Sequence, residues 1–128
     1  RQKENPLEHT AAVLTREELL SLQEQVQKVY VSDAVLDYAV SLSEATRANE
    51  LIILGLSPRG TLALMRMAKA HAFMEKRDYV VPKDVQAVFA DVAGHRMVLD
   101  TKARYEDKGP RQILEQILLQ VPVPRVDG

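Results

Sequence analysis

Cysteine and tryptophan are both missing from this 128-residue chain. Without thiols, disulfides and thiolate chemistry are excluded, and nothing in the cysteine count points to secretion. Four Tyr and two Phe leave little from which to build a surface that stacks nucleic-acid bases. An excess of one charge is lacking too. Seventeen basic residues against 18 acidic ones give a formal charge of -1, whereas binders of the phosphate backbone usually carry a clear basic excess. No nucleic-acid partner is expected. The longest apolar runs, such as Leu51-Ile52-Ile53-Leu54, fall far short of the roughly 20 residues of a membrane-spanning helix, and Arg1-Gln2-Lys3-Glu4-Asn5 has no signal-peptide character. A soluble, cytoplasmic chain without a membrane partner is the expectation.

What the chain has is aliphatic content: 46% of its residues are hydrophobic, mostly Leu, Val, Ala, Ile and Met, a set suited to helix packing. The length fits one domain, since single cores organise roughly 100 to 200 residues. Such a domain buries roughly two thirds of the surface of its unfolded chain, enough to fold without a metal or disulfide.

Residues 1 to 14 hold Pro6 and mixed charges without a sustained period and read as an extended linker. Order is expected from Thr15, where Thr15-Arg16-Glu17-Glu18 has the capping-box form and Leu19, Leu22, Val26 and Val29 follow at helical spacing. Ser32 caps a second helix, with Val35, Leu36, Ala39, Val40 and Leu42 on one stripe, ending at Arg47-Ala48-Asn49. Leu51 to Leu56 reads as a buried extended piece. Ser57-Pro58 starts a third helix over about 58–75, because Ser is a preferred N-cap and Pro at the first helical position gives up a donor that had no partner. Apolar residues surround most of it. Met65, Met67 and Met74 read as core filling. Lys76, Arg77 and Asp78 read as a solvated turn. Pro82 opens a fourth helix that stops near Gly94; Met97-Val98-Leu99 reads as a short strand. A polar loop runs through Gly109, and a fifth helix near 110–120 stops before Val121-Pro122-Val123-Pro124, where proline cannot continue it. The expected fold is all-α: a small bundle of about five helices with at most a minor strand pair.

One segment carries chemistry, Gly55-Leu56-Ser57-Pro58-Arg59-Gly60. With Ser57 as cap and Pro58 at the first position, Arg59 stands in the first turn, beside free N–H groups and the positive end of the helix dipole. Such a terminus attracts phosphate, and a guanidinium that grips two oxygens at once sharpens it. An ordinary helix start with a solvated surface arginine is the other reading of the same residues. Gly55 and Gly60 also mimic the glycine spacing of a P-loop, but Thr61-Leu62 stands where Lys and Ser/Thr are required. No apolar strand ends in the Asp-Glu pair that holds magnesium, so this chain by itself is not expected to hydrolyse a nucleotide. His9, His71 and His95 follow no metal-ligand pattern. His71 is expected to be a partly buried member of the third helix, and His95 with Arg96 to make structural contacts. Arg47 suits the negative end of the second helix.

Gly55 to Leu64 resembles the G-A-S-P-R-A segment of MoxR-type AAA+ ATPases, and Thr46-Arg47 resembles the T-R that precedes it. Further matches follow in order. Arg77-Asp78-Tyr79-Val80-Val81-Pro82-Lys83-Asp84-Val85 is similar to G-R-D-Y-V-T-P-E-D-V, His95 to Leu99 to H-R-L-V-L, and Ile117 to Pro124 to I-L-x-x-V-P-V-P. The resemblance implies an AAA+ lid over residues 15–124, a linker from an ATPase core over 1–14 and a tail over 125–128. It implies that Arg59 is the sensor-2 residue reaching the γ-phosphate of ATP, supported by Ser57, Pro58 and Gly60, with Arg47 as a secondary contact and Mg²⁺ supplied by the core. Implied partners are the protein's own ATPase core, neighbouring subunits of a ring and a von Willebrand factor A domain protein. The implied activity of the parent is ATP hydrolysis coupled to conformational change in a chaperone-like assembly factor. Three departures stand out: Gly60 replaces Ala, Val81 replaces a capping Thr, and Lys76 replaces Gly. The alternatives are a helical module that binds a partner protein through an exposed apolar groove, and a DNA-binding regulator with one helix in the major groove.

Overall fold

Local capping chemistry sets where the helices begin. The structure, a computed structural model, describes residues 14–125. Thr15 Oγ1 accepts from Glu18 N at 3.0 Å while Glu18 Oε1 accepts from Thr15 N at 2.8 Å, both halves of a capping box; helix α1 then runs Arg16–Gln27. Ser32 Oγ accepts from Val35 N at 3.2 Å and opens α2, Asp33–Ala48. Ser57 Oγ accepts from Gly60 N at 3.1 Å and opens α3, Pro58–Met74. At α4, Pro82–Gly94, the cap residue is Val81, which offers no side-chain oxygen. Only the reverse half of the box survives there, with Asp84 Oδ2 accepting from Val81 N at 2.7 Å. Helices α5, Thr101–Tyr105, and α6, Pro110–Gln120, complete the helices of the described residues, with strand β1, Ile52–Leu54, between α2 and α3 and β2, Val98–Leu99, between α4 and α5.

Helices α3 and α4 make the largest interface, and α2 and α6 close over it. Leu42, Leu56, Leu64, Val85, Phe89 and Leu114 are fully buried there. Each such side chain contributes about 1.5–3 kcal/mol relative to exposure. The strands pair antiparallel, Ile52 opposite Leu99 and Leu54 opposite Val98 with an irregularity between. They tie the α2–α3 connection to the α4–α5 connection.

The all-α expectation and the minor strand pair are found. Several finer expectations are corrected. A sixth helix, α5, interrupts the loop expected before Gly109; Asp100 Oδ1 accepts from Lys102 N at 2.9 Å and caps it. Leu51 to Leu56 is not buried throughout, because Ile53 and Leu54 are exposed while Ile52 and Leu56 are inside. Helix α3 is not enclosed: Leu62, Met67 and Met74 face outward, Met74 at 71%, so of the three methionines only Met65 fills the core. Helix α1, which contacts α3, buries no residue of its own. Of the turn expected to be solvated, Lys76 and Asp78 are exposed, whereas Arg77 is partly buried and pairs with Asp84. The linker expectation and His9 lie outside the described residues, apart from Leu14.

Lys76, which stands where the resembling pattern has Gly, has φ 64°. It takes the left-handed position of a Schellman motif, in which Lys76 N donates to Phe73 O and Arg77 N to Ala72 O, each at 2.9 Å. The turn keeps the shape that glycine makes easily, with a side chain in its place.

Candidate functional site

The connection from α2 to α3 is anchored from the α2 side. Thr46 is fully buried; its Oγ1 donates to Ser43 O at 2.6 Å and accepts from Leu56 N at 2.8 Å. Arg47 Nη1 donates to Leu56 O. Thr46 and Arg47 therefore hold the main chain of Leu56 from both its donor and its acceptor. The approach is close enough that a Cβ on Gly55 would lie 2.7 Å from Arg47 N and 2.8 Å from Thr46 C, so only glycine fits. A further hydroxyl contact, Ser43 Oγ to Thr61 Oγ1 at 2.7 Å, ties α2 to the first turn of α3.

Leu56 then plugs into the core and Ser57 caps α3. Pro58 has no N–H to offer, and the Gly60 N–H is taken by Ser57 Oγ. Arg59 is exposed, and its guanidinium has no hydrogen-bond or ion-pair partner among the described residues. A Cβ on Gly60 would lie 2.6 Å from Leu56 Cδ1 and 3.3 Å from Arg96 Cδ. Gly60 is thus small because Leu56 fills the space. Against the G-A-S-P-R-A pattern, this chain has exchanged two medium positions for one large and one small.

Three arginines belong to this end of α3: Arg59 in its first turn, Arg47 on the Leu56 carbonyl, and Arg96, whose stem passes beside Gly60. The described ion pairs involve other residues, so none of these three is neutralised by a carboxylate among the described residues. In a chain of net charge -1 this is a local positive field beside a helix N-terminus. Its chemistry is the attraction of an oxyanion. His95 is exposed and makes no side-chain bond among the described residues, whereas Arg96 also donates to Val92 O at 3.4 Å.

A second polar cluster lies at the other end of α3. Asp84, fully buried, accepts from Arg77 Nη1 at 2.6 Å, Arg77 Nη2 at 2.8 Å, Val81 N at 2.7 Å and His71 Nδ1 at 2.7 Å. Burial opposes ionisation of this carboxyl, yet the hydrogen bonds from Arg77, Val81 and His71 outweigh it and hold it below the usual carboxylate range. Bonding to Asp84 raises Arg77 in turn. His71 is partly buried as expected, but with a carboxylate partner that its own helix does not reveal. The cluster clamps α3 to α4 and stands roughly 18 Å along the helix from Arg59. A cleft of about 790 Å³, lined by Gln25, Val29, Phe73, Met74 and Arg77 among others, opens at this same far end. Among the described residues no group of three His, Asp or Glu side chains is placed to hold a metal ion, and no helix is long and apolar enough to cross a membrane.

Sequence reasoning had singled out Arg59, Ser57, Pro58, Gly60 and Arg47, and the fold brings all five to one end of α3. It missed Leu56, Thr46 as a buried anchor, and Arg96. The one signal that pointed to Thr46 was the letter match of Thr46-Arg47.

Comparisons with known proteins agree on a family. The AAA lid domain model matches residues 44–117. The chain is 37% identical over 123 residues to the uncharacterised protein YeaC of Bacillus subtilis, covering 96% of this chain and 38% of that protein. It is 34% identical over 125 residues to Chaperone MoxR1 of Mycobacterium tuberculosis, covering 91% of this chain and 33% of that one. A crystal structure of an ATPase candidate from Cytophaga hutchinsonii superposes with a TM-score of 0.79 at 34% identity, over 85% of this chain and 36% of that one. The chain therefore spans little more than a third of the length of these relatives.

Proposed function

Because the chain belongs to the AAA lid domain family, as the C-terminal lid of a MoxR-type AAA+ ATPase, we propose that it senses the phosphate state of a bound nucleotide through Arg59. The observation that carries this is the exposed guanidinium in the first turn of α3, which, like those of Arg47 and Arg96, has no ion-pair partner among the described residues. The residues fit a polyphosphate. Ser57 and Pro58 fix the turn, Gly60 permits Leu56 to anchor beneath it, and Arg47 and Arg96 add positive potential. Arg59 is left as the donor group facing outward. A charge-assisted contact there is stronger for a triphosphate than for a diphosphate, so the occupied state biases the angle between lid and core.

In this reading the ATPase core supplies the P-loop and Mg²⁺, hydrolysis takes place there, and this chain supplies the contact that couples hydrolysis to motion. The partners are that core, neighbouring subunits in a ring and a von Willebrand factor A domain protein, and the parent works as a chaperone-like assembly factor. The test is Arg59→Ala in the full-length ATPase. A hydrogen bond to a charged group is worth about 1.5–3 kcal/mol, so ATP affinity should fall by roughly 10- to 100-fold, and a fluorescence reporter of lid angle should stop responding to ATP. Unchanged turnover together with unchanged closure would reject the reading.

A second reading, a helical module that binds a partner protein, has one observation in its favour. The cleft at the far end of α3 is lined by Val29, Phe73 and Met74. It lies away from Arg59, so the two readings do not compete for the same surface.

A further inference from the structure

We propose that Thr46 is a positioning residue for the nucleotide-sensing arginine, acting through the main chain of Leu56. The inference rests on the Arg59 reading above and deepens it. Thr46 is a buried hydroxyl in the last turn of α2 whose two bonds, to Ser43 O at 2.6 Å and from Leu56 N at 2.8 Å, fix the connection at the residue just before the Ser57 cap. A Cβ at position 55 would lie 2.7 Å from Arg47 N and 2.8 Å from Thr46 C, so the connection packs against the end of α2 with no room for a side chain between them. Arg47 closes the same clamp on the Leu56 carbonyl.

The geometry makes α2 the fixed reference for Arg59. Leu56 N–H and C=O are both held by α2, Leu56 itself is anchored in the core, and three residues later Arg59 leaves the first turn of α3. An arginine held by one flexible loop would meet a phosphate at the entropic cost of ordering that loop. An arginine whose loop is already ordered by two main-chain bonds does not bear that cost. Thr46 touches no nucleotide and needs none of the arginine field. Its contribution is the pre-organisation of another residue.

The test uses the full-length ATPase with Thr46→Val, which keeps the shape and removes the hydroxyl, and Thr46→Ser, which keeps the hydroxyl. Arg59→Ala and the Thr46→Val/Arg59→Ala double variant complete the set. Thr46→Val should raise the KM for ATP by about tenfold with kcat changed by less than about threefold, and Thr46→Ser should restore KM to within about twofold of the parent. The double variant should bind ATP no worse than Arg59→Ala alone, because a positioning residue has nothing left to position. Should Thr46→Val fail to fold, Thr46→Ala and the Ser variant, compared by KM at matched folded fraction, carry the same contrast. Additive losses in the double variant, or a Thr46→Val KM equal to that of the parent, would overturn the inference. Should Arg59→Ala alone leave KM unchanged, the sensing reading falls first and takes this one with it.

Discussion

Restoring alanine at position 60 ought to help a helix, and in this chain it should do harm. Gly→Ala in a helix interior is worth up to about 1 kcal/mol in propensity, less in a first turn. Against that, the new methyl would lie 2.6 Å from Leu56 Cδ1 and 2.9 Å from Leu56 Cγ. Leu56 is fully buried, so its end cannot swing into solvent, and overpacking a filled core costs about 1–3 kcal/mol. Gly60→Ala should therefore destabilise by about 1 kcal/mol net. Leu56→Ala alone removes a buried leucine and leaves a cavity, a loss of about 3 kcal/mol. Together the two changes recreate the alanine pair of the G-A-S-P-R-A pattern. The clash is then absent, the new methyl fills part of the cavity, and the propensity gain is realised. The double variant should be destabilised by only about 2 kcal/mol rather than the additive 4, a coupling of about 2 kcal/mol. Urea unfolding followed by far-ultraviolet circular dichroism measures all four corners, with the midpoint moving at constant slope. Additivity to within about 0.5 kcal/mol, or a stabilised Gly60→Ala single variant, would show that the two side chains do not share this space.

Lys76→Gly should stabilise the chain, since a non-glycine residue at φ 64° carries about 1–2 kcal/mol of left-handed strain, partly offset by the freer unfolded state of glycine. The net gain of about 1 kcal/mol should raise Tm by about 4 °C, and an unchanged or lower Tm in a thermal scan would count against the Schellman geometry. Asp84→Asn should cost about 3 kcal/mol, because it leaves Arg77 with a broken buried pair. The pH dependence carries its own sign. The Asp84 carboxyl is held below its unfolded value of about 3.8, so its contribution is fully present above that value and disappears as pH falls through the lowered folded one. Stability curves of parent and Asp84→Asn should then converge in acid, and a gap that stays constant down to the lowest pH would refute the assignment.

The parts of this fold that were legible in sequence are the ones that local chemistry decides. Thr15 with Glu18, and Ser57 with Pro58, satisfy groups within three residues of themselves, so a linear reading finds them and the structure repeats them. Arg59 was legible for the same reason, because its place in the first turn follows from the cap beside it. Where a residue's partner sits on another element, linear reading fails. Arg77 looked like a solvated turn residue because Asp84 is seven positions on, across the turn and inside the next helix. Met67 and Met74 looked like core because helical spacing shows which residues share a face; whether another element covers that face is a separate matter. Helix α5 is five residues long, too short for any period to appear, and only the Asp100 cap betrays it.

The resemblance motifs show the same division from the other side. Thr46-Arg47 and Gly55 to Gly60 match the family as two separate strings of letters, yet in space they are one object. Thr46 and Arg47 grip the main chain of Leu56, Gly55 permits the approach, and the size of Leu56 dictates that residue 60 has no side chain. Viewed as single positions, Gly60 is a loss of helix propensity and Leu56 passes without comment. Viewed as a pair, one large and one small side chain keep the summed volume beneath the arginine-bearing turn, which is the property that packing constrains. The capping turn that carries Arg59 should therefore accept exchanges at positions 56 and 60 that keep the summed space and the two main-chain bonds.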